Sequence, residues 1–176
     1  MAKGSGSETV LAAAVASLGL AALCLAGLPS RAQDQALAAP PEKTIVVPAD
    51  AGWVDTGIDV GPGEEIVFRA SGNIDLQRGN PEAVCDPAGL DLVTGGQPIP
   101  NANLGALIGK VSQVVARRID EDSGLEVRDE IFVLFLIGPE NAVTVPFKGR
   151  LYFGVNENVL KDNGGEYSVL VVRCPA

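Results

Sequence analysis

Short runs of β-branched and aromatic residues, separated by clusters of Gly, Pro, Asn and Asp, are the feature that most restricts the fold of this chain. In one run, VDTGIDV at 54–60, Val, Thr, Ile and Val alternate with Asp and Gly. That period of two is typical of a strand with one buried face. Almost no segment after residue 43 has the period of a helix. The pattern predicts an all-β fold, an antiparallel β-sandwich or jelly roll of about seven or eight strands.

Three later segments refine this plan. The run IFVLFLI, 131–137, is apolar at both alternating positions, so we expect a strand covered on both faces at the centre of a sheet. A buried helical turn is the alternative, but short length and β-branched and aromatic content favour a strand. The charged insertion 114–130 carries both signs of charge, which indicates a solvated extended hairpin, with a partner-binding surface as the alternative. The segment 79–103 is too long for a plain connection, so it is either functional or mobile.

The N-terminal segment has the composition of an export signal. Lys3 precedes an apolar run, 10–28, and a stretch of small residues that includes Ser30 and Ala32 follows it. This order predicts a signal peptide over residues 1–32, cleaved after Ala32, and a periplasmic or extracellular protein. The apolar run also has the length of an uncleaved membrane anchor, and only in that alternative do we expect contact with a membrane.

Residues 33–42 are rich in Ala and Pro and predict a disordered linker, so the folded domain is expected over 43–176. That domain contains Cys85 and Cys174, and an exported chain can oxidise such a pair. A disulfide would fix the last strand to the middle of the domain, whereas two independent thiols are the alternative, because sequence does not give their separation.

Charge and the lack of histidine exclude several function classes. A net charge of −9 argues against nucleic acid as a partner, since binding the phosphate backbone needs a basic surface. With no histidine, the chain cannot build a Ser-His-Asp or Cys-His catalytic centre or a His-ligated zinc site. Carboxylates, lysines, tyrosines and hydroxyl groups remain for chemistry.

The segment GVNENVLKDNGGEYSV, 154–169, concentrates side-chain oxygens between two strand-like runs. Calcium binds six to eight oxygen atoms from carboxylates, amides, backbone carbonyls and water. The same residues are also favoured in turns for backbone reasons, and the spacing is not that of an EF-hand loop. A hairpin loop and a cation site therefore both remain open. The oxygen-bearing residues are Asn156, Glu157, Asn158, Asp162 and Asn163.

Four segments in the same order resemble the LecA-like (PA-I type) galactose lectin family: PADAGWVDTGIDVGPGEEIVFRASGNI, NANLGALIGKVS, FLIGPENAVTVPFKGRLYFGVNEN and DNGGEYSVLV. They cover about 110 of the 176 residues, and GALIGK, GRLYFGVNEN and DNGGEYSV are the most specific pieces. The resemblance implies a small jelly-roll sandwich with one calcium ion at its rim, shared between protein oxygens and two hydroxyls of a bound sugar.

Carried over by position, the resemblance implies two overlapping sets of residues. Glu157 replaces the usual Asp of the family, and the family's sugar-gripping histidine and glutamine have no match after Cys85. A galactose-like sugar is therefore a hypothesis rather than part of the match. Asp86 offers a substitute contact, although Asp-Pro commonly begins a turn. The implied metal ligands are Glu157, Leu160, Asp162, Asn163 and Leu76; the implied sugar-binding residues are Asn156, Glu157, Asp162, Asn163 and Asp86.

These observations favour a non-catalytic, calcium-dependent carbohydrate-binding module that is exported from the cell. One alternative is a structural or protein-interaction β-sandwich of the cell envelope that has lost sugar binding. Another is a glycoside hydrolase, because that reaction needs only a pair of carboxylates. Trp53 could provide a surface for sugar stacking, but the packing of a half-buried strand aromatic is the favoured interpretation. The sequence leaves oligomerisation open.

Overall fold

The computed structural model describes residues 42–174, which consist almost entirely of strands and loops. The predicted signal peptide over 1–32 and most of the predicted linker lie outside the described residues, but Glu42, assigned to that linker, begins the first strand. Within the described range, no helix is both long and apolar enough to cross a membrane. The strands in chain order are β1 Glu42–Pro48, β2 Val54–Val60, β3 Glu65–Asp75, β4 Val84–Cys85, β5 Leu107–Ile119, β6 Glu126–Leu136, β7 Glu140–Thr144, β8 Gly149–Val155 and β9 Gly164–Cys174, with a 3-10 turn at Pro81–Ala83.

The strands form two antiparallel sheets. In the first, β9 pairs with β1 on one edge and with β3 on the other, and the far edge of β3 is shared by β7 and β4. The second sheet has the order β2-β8-β5-β6. The predicted all-β sandwich is confirmed.

The core lies between the sheets and follows the alternation seen in the sequence. Thr56, Ile58 and Val60 of β2 are buried, as their spacing predicts. Phe68 of the first sheet is fully buried, and its ring centroid lies 5.8 Å from that of Phe135 and 5.7 Å from that of Phe153, both in the second sheet. Aromatic pairs at such distances add about 0.5–1.5 kcal/mol each beyond the burial of their area, so these rings hold the two sheets together.

The prediction that 131–137 forms a central strand is wrong. Most of this segment belongs to β6, which is the edge strand of the second sheet. Phe132 is 58% exposed, whereas Phe135 packs inward against Phe68. An apolar run therefore indicated a strand here but not a strand covered on both faces.

The charged insertion forms the outer part of a long β5–β6 hairpin. Pairing of β8 with β5 ends at Ser112, whereas the β5–β6 ladder continues to Ile119 and Glu126. Beyond Ser112 the hairpin is therefore a two-stranded ribbon. Its ion pairs, such as Arg118 with Asp129 at 3.5 Å, are solvent-exposed, and such pairs stabilise a fold only weakly.

The proposed disulfide is contradicted by the strand register. Cys85 pairs with Ile74 and Cys174 pairs with Glu65, near opposite ends of β3 and on its opposite edges. A strand rises about 3.3 Å per residue, which separates the two cysteines by roughly 30 Å. A disulfide requires Cα atoms closer than about 7 Å. Both thiols are free, and burial raises the pKa of the Cys85 thiol.

Candidate functional site

The β8–β9 loop, residues 156–163, is fixed to two other connections at one end of the sandwich. The backbone N–H of Arg78, in the β3–β4 connection, donates to the carbonyl oxygen of Asp162 at 2.9 Å. Asn163 Nδ2 donates to the carbonyl oxygen of Ala49, in the β1–β2 connection, at 3.1 Å. These bonds gather chain segments that are distant in sequence around the predicted metal loop.

Asn163 has the one orphaned oxygen of this loop. Its side chain is fully buried, and Oδ1 has no hydrogen-bond partner among residues 42–174, although Nδ2 is satisfied. An unsatisfied buried acceptor costs about 1–3 kcal/mol. Amide oxygens are among the preferred calcium ligands. Asn163 Oδ1 therefore fits the metal-ligand role that the sequence analysis assigned to it.

Two carboxylates precede Asn163 in the loop, and they differ in burial and in hydrogen bonding. Glu157 is partly buried, and its Oε1 accepts the backbone N–H groups of Asn158 and Val159, both at 3.1 Å. These bonds use one carboxylate oxygen to shape the loop. Asp162 is exposed, so its carboxylate is accessible from solvent. Within residues 42–174, no three acidic or cysteine side chains cluster as a metal site, so a cation here would need amide and carbonyl oxygens as well.

Leu160 and Leu76 have apolar side chains, so either residue would bind a metal ion through its backbone carbonyl oxygen. The Leu160 carbonyl accepts the backbone N–H of Asn163 at 3.2 Å, so it closes a turn within the loop that ends at Asn163. Leu76 lies two residues before Arg78, which bonds to the loop, and its own N–H donates to the Ala83 carbonyl at 3.0 Å. Both carbonyls therefore belong to segments that meet at this end of the sandwich.

The assignment of Asn156 to a sugar site is contradicted by its surroundings. Its side chain is fully buried. Oδ1 accepts the Ile99 N–H at 2.9 Å, and Nδ2 lies within hydrogen-bond distance of the carbonyls of Ile99, Ala102 and Asn103 at 3.0, 3.3 and 3.1 Å. The amide thus ties the long 86–106 connection to the end of β8, and its complete burial keeps it from contacting a ligand at the surface.

Asp86 also has a structural role. Its Oδ1 accepts the Ala88 N–H at 2.8 Å, which closes the turn expected of Asp-Pro. Its carbonyl lies 2.8 Å from the hydroxyl of buried Tyr167, which is also 3.0 Å from the Gly105 carbonyl. Burial raises the pKa of Tyr167, so this hydroxyl remains a donor. Among the described residues, no hydrogen bond joins Asp86 to the β8–β9 loop.

A cleft beside the loop includes residues that the sequence analysis had not assigned to the site. It has a volume of about 240 Å³, and it is lined by Glu157, Asn158 and Leu160 of the loop together with Trp53 and Pro98. Trp53 is 37% exposed, so the packing interpretation describes only part of its surface. Pro98 belongs to the long segment whose length alone had suggested function or mobility, and that length was the only signal available for it.

Comparison with known proteins identifies the fold. Neither a family model nor a curated protein sequence matches this chain. Among solved structures, the N-terminal domain of EclA, described as a PllA-like lectin, is similar with a TM-score of 0.51 and 22% sequence identity. The match covers 74% of this chain and 95% of that domain. The sandwich therefore has a lectin-like fold.

Proposed function

We propose that this chain is an exported, non-catalytic carbohydrate-binding module whose sugar site depends on calcium, as the resemblance to LecA-like lectins suggests. The observation that carries the proposal is the buried, unpartnered Oδ1 of Asn163 within an oxygen-rich loop. The similarity to the EclA lectin domain supports it, because the same fold there belongs to a lectin.

The residues of this end of the sandwich supply a mixed set of oxygen donors. Asn163 Oδ1 and the carboxylates of Glu157 and Asp162 would bind the ion, together with the carbonyls of Leu160 and Leu76. Calcium accepts such mixtures and tolerates irregular geometry. When bound, it offers coordination positions that two neighbouring sugar hydroxyls can occupy in place of water.

The protein itself would orient the sugar. Glu157 Oε1 is engaged by two N–H groups, so the exposed Asp162 carboxylate is the freer acceptor for a hydroxyl proton. Trp53 and Pro98 line the same cleft as Glu157 and Leu160 of the loop. The cleft, at about 240 Å³, is smaller than the roughly 300–1,000 Å³ of sites for drug-sized ligands, which suits a small ligand such as one terminal sugar ring.

The arrangement favours binding over hydrolysis. Glycoside hydrolases place two carboxylates on either side of the bond that is cut. Glu157 and Asp162 both belong to one short loop, and Glu157 Oε1 is already engaged by two backbone N–H groups of that loop. We further propose that residues 1–32 direct export of the chain. N-terminal sequencing of the exported protein would support this proposal if the mature chain begins at Gln33.

A second candidate, the protein-interaction module, is favoured by one observation. The outer half of the β5–β6 hairpin exposes large apolar side chains, with Ile119 at 63% and Leu125 at 67% exposure. Exposed apolar groups that cluster on one element commonly mark a protein contact. Loss of calcium and sugar binding with retention of the fold would favour this candidate.

Isothermal titration calorimetry with calcium chloride tests the metal site. Asp162→Asn keeps the shape of the side chain and removes its charge, and we expect at least about tenfold weaker binding, because ligand charge tunes calcium affinity. Asp122→Asn, on the exposed hairpin tip, is the matched control and should bind like the unmodified protein. If the unmodified protein gives no calcium heat, or if both variants behave alike, the loop is not a calcium site.

A further inference from the structure

Trp53 is the single tryptophan of the chain and lies immediately before β2 of the second sheet. A Cβ atom added at Gly154 of β8 would lie only 3.1 Å from Cε3 and 3.2 Å from Cζ3 of the indole. Such a separation is tighter than most Cβ contacts, so a side chain here would shift the ring by a few tenths of an ångström. The indole therefore packs closely on the glycine backbone, and glycine favours this approach.

A lysine also supports the indole. The Lys110 ammonium lies 4.8 Å from the ring centroids of both Trp53 and Tyr152, within the range of cation–π attraction. Lys110 on β5 is the register partner of Tyr152 on β8, so it contacts the indole from the sheet. Partial burial beside these rings lowers the pKa of Lys110. Gly154 and Lys110 both belong to the sheet and hold the indole in place, and Trp53 remains 37% exposed to solvent.

Trp53 lies at the junction of two clefts. With Pro98, it lines the cleft of about 240 Å³ beside Glu157 and Leu160. With the same Pro98, it lines a second cleft of about 400 Å³ that continues towards Phe132 on β6. Pro98 is held in place because its neighbour Ile99 is bonded to Asn156. The two clefts therefore adjoin at Trp53 and Pro98, with the β8–β9 loop lining the first and β6 lining the second.

We propose that Trp53 forms a second sugar position, on which the ring next to the terminal sugar of an oligosaccharide stacks. This deepens the proposed function and rests on it, because the first ring occupies the cleft beside the β8–β9 loop. Sugar rings carry an apolar C–H face, which matches an indole that is apolar and fixed before binding. The polar rim of the second cleft, with Arg128 and Glu130, offers a donor and an acceptor to outward hydroxyls.

A glycan array tests the second position. Mono-, di- and trisaccharides ending in galactose, mannose, fucose or N-acetylglucosamine would be probed in calcium with the unmodified protein, Trp53→Ala, Trp53→Phe and Leu125→Ala. We expect the unmodified protein to bind the longer glycans roughly two- to tenfold better than the monosaccharide with the same terminal sugar. Trp53→Ala should abolish that preference and Trp53→Phe should keep part of it. Leu125→Ala removes an apolar side chain from the hairpin that is even more exposed than Trp53, and it should leave the preference unchanged.

The outcomes separate this inference from the proposed function. Monosaccharide binding without a preference for longer glycans, or a preference that survives Trp53→Ala, would overturn the second position and leave the lectin site intact. No binding of any glycan in calcium would overturn both.

Intrinsic fluorescence gives an independent reading on the unmodified protein, in case Trp53→Ala fails to fold. Because the chain has one tryptophan, its emission reports this position alone. A blue shift on adding the preferred disaccharide, and a smaller one with its terminal monosaccharide, would support stacking. Equal emission with both sugars would contradict it.

Discussion

Asn156→Ala is the substitution that most severely tests how the candidate site is held together. The Asn156 side chain is fully buried and bonds only to the backbone of the 86–106 connection. Pro98, a wall of the cleft, precedes Ile99, which is bonded twice to this amide. Truncation should therefore destabilise the fold and also loosen one wall of the binding cleft.

The magnitude follows from the hydrogen bonds lost. Asn156 Oδ1 accepts one bond, and the two hydrogens of Nδ2 are shared among three carbonyls, so the amide makes about three bonds in total. A typical bond contributes about 1 kcal/mol net, and buried partners left unsatisfied cost more. We expect a loss of roughly 3 kcal/mol in the free energy of unfolding.

Urea unfolding followed by Trp53 fluorescence would measure this loss. Asn158→Ala is the matched control, since the Asn158 side chain is exposed and bonds only to the Gly96 carbonyl, and we expect it to cost about 1 kcal/mol or less. A loss below about 1 kcal/mol for Asn156→Ala, or equal losses for the two variants, would refute the view that Asn156 anchors the long connection.

Two further predictions concern pH and the cysteines. Arg173 Nε donates to Glu64 Oε1 at 2.5 Å and lowers the pKa of that carboxyl below its ordinary 4.5. The unfolded chain therefore binds the proton more readily, so this pair stabilises the fold above about pH 4.5 and ceases to do so as the pH falls through the lowered pKa. The stability difference between the unmodified protein and Glu64→Gln should be largest near neutral pH and shrink in acid; a constant difference would argue against the pair. In alkylation with iodoacetamide at pH 8, partly exposed Cys174 should react before buried Cys85, because burial raises the pKa of the Cys85 thiol. Peptides linked through these two cysteines would contradict the register of β3.

The all-β fold could be predicted from the sequence because its signal is local. The alternation in β2 and the β-branched runs that form the longer strands depend only on neighbouring residues. The two-residue β4 has no such pattern, since a strand that short is defined by its partner β3. The edge position of β6 could not be predicted for a related reason. An apolar run indicates residues that are suited to burial, but whether Phe132 is in fact buried depends on the order of strands in the sheet.

The candidate site was predictable in its chemistry but not in its contacts. Asn163 and Asn156 are the same residue type in the same loop, and both were assigned to ligand binding. They differ in their hydrogen bonds. The Asn156 side chain bonds to the backbone of the 86–106 connection, more than fifty positions away, whereas Asn163 Oδ1 accepts no hydrogen bond from residues 42–174. The disulfide failed in the same way, because only the register on β3 reveals the distance between Cys85 and Cys174.

The central claim is that sugar binding by this fold requires calcium held at the β8–β9 loop. The most direct measurement is binding of the unmodified protein to an array of terminal sugars, first in millimolar calcium and then in excess chelator. We expect binding in calcium, its loss in chelator and its recovery when calcium is restored. Binding that persists undiminished in chelator, or no binding in either condition, would contradict it.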